Sequence, residues 1–166
     1  MAANKRESRA SQQTGRSRNI ENAQTRLEIS LPAVERFFVR MNREMGLRSG
    51  ATFVRLVTDA EMKRLNTRFR HKHKTTDVLS FPSETRTTPS SIKRRTIELR
   101  GTFLGDIAIS PTLAQRNAIA FGRSTSEEIC VLLLHGVLHL LGYDHENDCG
   151  QMERVEAKLR RRLGLS

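Results

Sequence analysis

The chain has 166 residues, with 29 Lys and Arg against 18 Asp and Glu and a formal net charge of +11 at pH 7. That length supports one domain with a real hydrophobic core. No apolar run is long enough to cross a bilayer, and no membrane partner is expected, while two cysteines, Cys130 and Cys149, are too few for a disulfide framework and fit a reducing cytoplasm. The excess of cations suits a phosphate-rich partner. With no Trp and a single Tyr, contacts to phosphate rather than stacking on bases are the expected means of binding.

Residues 1–25 are polar, rich in Ser, Gln, Asn and Arg, and read as a disordered basic arm. The first residues lack the apolar stretch of a secretory signal, so a cytoplasmic location is expected. The folded domain is expected over 26–166. Arg26–Ser30 reads as a short strand with Leu27 and Ile29 inward. Pro32 suits the first turn of a helix in which Val34, Phe37, Phe38 and Met41 recur at helical spacing, and Gly46 is its stop. Thr52–Thr58 alternates as a strand does. Asp59 is the expected N-cap of a helix with Met62, Leu65 and Phe69 on its apolar face. Asp77–Phe81 reads as a strand closed by Pro82, and residues 83–101 as a long polar connection. Phe103–Ile109 is a further strand. Ser110 and Pro111 open a helix to about Phe121, and Ser124 to Glu128 supply hydroxyls and acidic groups suited to the start of another. From Ile129 to Leu141 that helix is apolar almost all round, hence central and buried. A last helix starts near Gly150 and ends in Lys158–Arg162. The order β-α-β-α-β-β-α-α-α predicts an α+β fold: a small mixed sheet of about four strands packed with helices, the buried helix at its centre.

Three of the five histidines fall within eleven residues of that central helix and its exit. His135 and His139, four apart, project from one face and can share a metal ion. Gly142 favours the left-handed conformation that ends a helix, and the chain can turn back to bring His145 to the same point. Three imidazoles leave a fourth position open, as a catalytic metal requires. The ligand type does not choose among zinc, nickel, copper and iron. The spacing H-x-x-x-H-x-x-G-x-x-H is also that of metzincin metalloproteases. Those enzymes carry a Glu base directly after the first His, where this chain has Gly136.

The run His135–His145 resembles the signature of the YbeY family of bacterial endoribonucleases, the rRNA maturation factors. Leu65–Pro82 resembles the central segment of that family, and Leu104–Ser110 its strand before the C-terminal helices. The resemblance covers roughly residues 27–160. It implies a metal-dependent hydrolase that cuts single-stranded RNA and acts in maturation of the small-subunit rRNA 3′ end and in ribosome quality control. It implies one zinc ion per chain, or another divalent transition metal, held by His135, His139 and His145. It implies Arg70 as a functional cation in the cleft, where guanidinium would pair with phosphate. The implied partners are ribosomal RNA, the ribosome and its small subunit, and ribosomal or GTPase proteins. Asp106 and Asp144 are candidate acceptors that would orient a ligand histidine. His71 and His73, two apart, read as solvated residues facing RNA. Two other readings stand beside this one: a metzincin-like hydrolase of another bond, and a non-enzymatic ribosome assembly factor with a structural metal.

Overall fold

A computed structural model describes residues 19–84, 102–144 and 148–165. Its elements are β1 (Ile20–Asn22), α1 (Leu31–Glu44), β2 (Thr52–Leu56), α2 (Asp59–Arg70), β3 (Val78–Pro82), β4 (Gly105–Ile109), α3 (Pro111–Phe121), α4 (Thr125–Leu140) and α5 (Gln151–Leu163). The fold is α+β, and the element order is the expected one. The four strands form one mixed sheet in the order β1-β2-β4-β3, with β3 antiparallel to β4 and the other pairs parallel.

The alternation of side chains along a strand sorts this sheet into two faces. Val54, Leu56, Ile107 and Ile109 share one phase and join α1, α4 and α5 in the main core. Leu79 and Ala108, one residue out of phase, meet Val57 and Met62 in a smaller cluster, with Leu65 and Phe81 packed against it. Helix α2 therefore covers the opposite face. Phe69, at the end of α2, is half exposed and meets Phe81 edge-on at 5.0 Å.

The first strand departs from expectation. It is Ile20–Asn22, paired with β2, and not Arg26–Ser30. The alternation of Leu27 and Ile29 is overridden by the buried side chain of Gln24. Its Oε1 accepts hydrogen bonds from the backbone N–H of Arg26 and Leu27, and its Nε2 donates to the Leu27 carbonyl. These bonds bend the segment and take up the groups that a strand would pair. Residues 19–25 thus belong to the fold and not to the expected arm, while residues 1–18 lie outside the described residues, as do 85–101 of the long connection.

The N-cap of α2 is Thr58, which accepts from Glu61 N–H, and not Asp59. The Asp59 carboxylate instead accepts from the buried Ser110 hydroxyl at 2.8 Å, while the same hydroxyl caps α3 through Leu113 N–H. Two helix starts are locked together in this way. Asp77, read as the beginning of a strand, stands one residue before β3, where its carboxylate accepts from Val78 N–H and from the Asn117 amide of α3.

Candidate active site

Helix α4 is the centre of the site. Its start is a reciprocal capping box: Ser124 Oγ accepts from Glu127 N–H, and Glu127 Oε2 accepts from Ser124 N–H at 2.8 Å. Those bonds hold the Glu127 carboxyl below its ordinary range. From Ile129 to Leu140 every residue is buried except His135 and His139, which are half-buried. The helix ends at Leu140, and Gly142 takes a φ of 95°, as expected of the turn after it.

Gly136 faces the sheet. A Cβ there would lie 3.0 Å and 3.1 Å from two side-chain carbons of Ile107 and 3.1 Å from Ser80 Oγ. Ser80 Oγ donates to the Gly136 carbonyl at 3.0 Å. The residue after the first histidine is thus the contact by which α4 lies against β3 and β4. A Glu side chain at this position would start among those packed groups of β3 and β4.

His135 and His139 meet through their Nε2 atoms, 3.1 Å apart, with ring centroids 4.7 Å apart and planes at 78°. Their other nitrogens are engaged. His139 Nδ1 lies 3.0 Å from the Tyr143 carbonyl, which can only accept, so Nδ1 carries the proton. His135 Nδ1 lies 2.9 Å from Glu156 Oε2 on α5. Burial works to raise the Glu156 carboxyl, but the hydrogen bond from His135 and the charges of His135 and Arg160 hold it below its ordinary range. An ionised acceptor leaves His135 protonated on Nδ1 as well. In the neutral rings both Nε2 atoms then present lone pairs to each other. Two nitrogens bound at about 2.0–2.1 Å to one tetrahedral ion would stand about 3.3 Å apart, so the pair fits a shared cation. His145, the third expected ligand, lies outside the described residues. Among the described residues no three potential ligands converge; in particular Cys149, an exposed thiol, does not join the pair.

The histidines open onto a cleft of about 370 Å³ whose far side is the end of α2 and the loop that follows it. Arg70, Lys72 and Lys74 line it, so Arg70 shares one cleft with His135 and His139. Lys72 and Lys74 were not foreseen. Their loop is held by Asn66, which is 2% exposed. Its carbonyl accepts from His71 and Lys72 N–H, and its amide donates to the Lys74 carbonyl at 2.7 Å. His71 takes the left-handed conformation that ends α2. His71 and His73 are exposed, but neither lines the cleft.

The acceptors seen at the two rings are the Tyr143 carbonyl and the Glu156 carboxylate. Asp106 pairs in register between Phe53 and Phe81, in the opposite phase to Ile107, which touches α4. It therefore stands on the far face of the sheet, where partial burial raises its carboxyl. Asp144 adjoins Tyr143, whose carbonyl accepts the hydrogen bond from His139 Nδ1. The carboxylate at His135 is Glu156. One signal for it existed: Glu156 interrupts the stripe Met152, Val155, Leu159, Leu163, which otherwise spaces the apolar face of α5.

A family model described as endoribonuclease YbeY matches residues 19–164, beginning one residue before β1. Proteins of that name from three bacteria are similar to the chain. That of Solibacter usitatus is 47% identical over 135 residues, 81% of this chain and 80% of its own. That of Koribacter versatilis is 40% identical over 137 residues, 82% of this chain and 80% of its own. That of a Sulfurovum species is 36% identical over 144 residues, 86% and 88% respectively. The solution structure of a Thermotoga maritima protein shares the fold, with a TM-score of 0.54 and 24% identity over 87% of each chain.

Proposed function

Because this chain belongs to the endoribonuclease YbeY family, we propose that it is a zinc-dependent nuclease of single-stranded RNA. On this reading it acts in maturation of the small-subunit rRNA 3′ end and in ribosome quality control. It works in the cytoplasm, on ribosomal RNA and the small subunit, alongside ribosomal or GTPase proteins. No described helix is long and apolar enough to cross a membrane.

The observation that carries the reading is a single cleft with His135 and His139 on one wall and Arg70, Lys72 and Lys74 on the other. Phosphodiester hydrolysis needs a nucleophile and relief of charge on the phosphoryl oxygens. His135, His139 and His145 would hold the ion. When bound, zinc supplies Lewis acidity and brings water to an activating pKa of about 7. Arg70 stays charged and matches phosphate with two parallel N–H donors. Lys72 and Lys74 act as point charges for neighbouring phosphates of the same strand. The cleft volume lies within the range of about 300–1,000 Å³ of small-ligand sites, which suits a nucleotide of a single strand better than a stacked duplex.

The test uses the purified chain and an RNA carrying the 3′ end of the small-subunit rRNA, single-stranded or annealed to its complement. Cleavage of the single strand only, lost on chelation and restored by zinc, is the expected result. Equal cleavage after complete metal removal, or of the duplex, overturns the proposal. Ribosome binding without cleavage at any protein concentration would favour an assembly factor with a structural metal.

A further inference from the structure

Helix α5 carries one residue out of keeping with its face. Met152, Val155, Leu159 and Leu163 turn toward the core, and Glu156 stands among them with its side chain 12% exposed. A carboxylate in such a position costs free energy unless its oxygens are engaged. Both are. Oε2 lies 2.9 Å from His135 Nδ1, and Oε1 accepts from Arg160 Nη2 at 2.6 Å. A leucine would serve the packing of α5 as well or better, so packing does not account for the acid.

The two imidazoles are also oriented by different means. His139 takes its acceptor from the turn that ends its own helix, the Tyr143 carbonyl. His135 is met at Nδ1 by a group twenty-one residues away, on another helix. We infer that Glu156 is a positioning residue for the metal site. It fixes the Nδ1–H form of His135 and aims its Nε2 lone pair at that of His139, while Arg160 holds the carboxylate in place. Helix α5 is thereby part of the site, although it bears none of the expected ligands. The inference rests on the reading of His135 as a metal ligand.

The test compares full-length wild type with Glu156→Gln and Glu156→Leu. Three quantities are read: zinc affinity by competition with a chromophoric chelator, the His135 and His139 tautomers by long-range ¹⁵N–¹H correlation in the metal-free protein, and urea stability. Loss of an outer-shell partner of a ligating histidine weakens metal binding about 10–100-fold, and that is expected of both variants. His135 should lose its single Nδ1–H form while His139 keeps its own. Glu156→Gln keeps the size and shape of the side chain and should remain folded, whereas Glu156→Leu leaves Arg160 without its carboxylate and should lower urea stability. Should one variant fail to fold, the other carries the test. Zinc affinity within twofold of wild type together with an unchanged His135 tautomer overturns the inference alone. A wild-type chain that binds no zinc overturns the metal reading and the inference with it.

Discussion

Replacing Gly136 probes the contact on which the site is built. In Gly136→Ala the added methyl meets Ile107 at 3.0 Å and 3.1 Å and Ser80 Oγ at 3.1 Å, against ordinary contacts of 3.4–4 Å. Ile107 is 1% exposed and Ser80 9%, so neither has open space to enter. Overpacking of this kind costs about 1–3 kcal/mol. Alanine recovers about 1 kcal/mol of helix propensity over glycine, which leaves a net destabilisation of roughly 0–2 kcal/mol. Gly136→Glu restores the protease-like sequence but drives a carboxylate between the same groups with no partner, and should not yield a stable native chain. Urea denaturation of the metal-free proteins measures both. An alanine variant more stable than wild type by about 1 kcal/mol, or a folded glutamate variant, would refute the close approach of α4 to the sheet.

Three further outcomes follow from particular side chains. Burial first, and the Glu127 charge second, push the Cys130 thiol up to about 12, whereas Cys149 is exposed. A raised pKa means thiolate only at high pH, so at pH 8 Ellman's reagent should titrate one thiol per native chain and two in denaturant; rapid reaction of both in the native state would contradict this. Asn66→Ala removes the bond to the Lys74 carbonyl. It should cost about 1–3 kcal/mol and lower RNA affinity without changing zinc content, and unaltered affinity would remove Asn66 from any role in holding the cations. Residues 1–18 carry Lys5, Arg6, Arg9, Arg16 and Arg18. Their deletion should reduce the log–log salt slope of single-stranded RNA binding by up to about 3.5 if all five neutralise phosphates, with stability unchanged. Deletion of residues 1–25 removes β1 as well and should destabilise the domain. An unchanged slope would deny the segment a part in binding.

Much of this architecture is written in local patterns. Period 3.6 in α1 and the near-continuous apolar run of α4 announce a buried helix, and Ser110-Pro111 and Ser124 through Glu127 mark their helix starts by chemistry that needs no tertiary context. The pair His135 and His139 is legible for the same reason, since four residues on a helix is a spatial statement. Other features depend on partners distant in the chain. β1 has one buried side chain, Ile20, and exists because β2 offers it backbone pairing; three residues carry no period of their own. Leu27 and Ile29 alternate as a strand would, but the Gln24 side chain bends them. Asp106 is close to the right elements in sequence and on the wrong face of the sheet, a distinction that turns on phase alone. Glu156 was visible only as a break in an apolar stripe, and its partner could not be named until α5 was seen against α4.

The central claim is that one cleft unites a metal held by histidines with a cation that serves the phosphate. The most direct measurement takes wild type, His135→Ala and Arg70→Glu, purified identically, and determines zinc per chain beside cleavage of single-stranded rRNA. The account predicts one zinc and cleavage in wild type, neither in His135→Ala, and zinc without cleavage in Arg70→Glu. Undiminished cleavage by His135→Ala would contradict it.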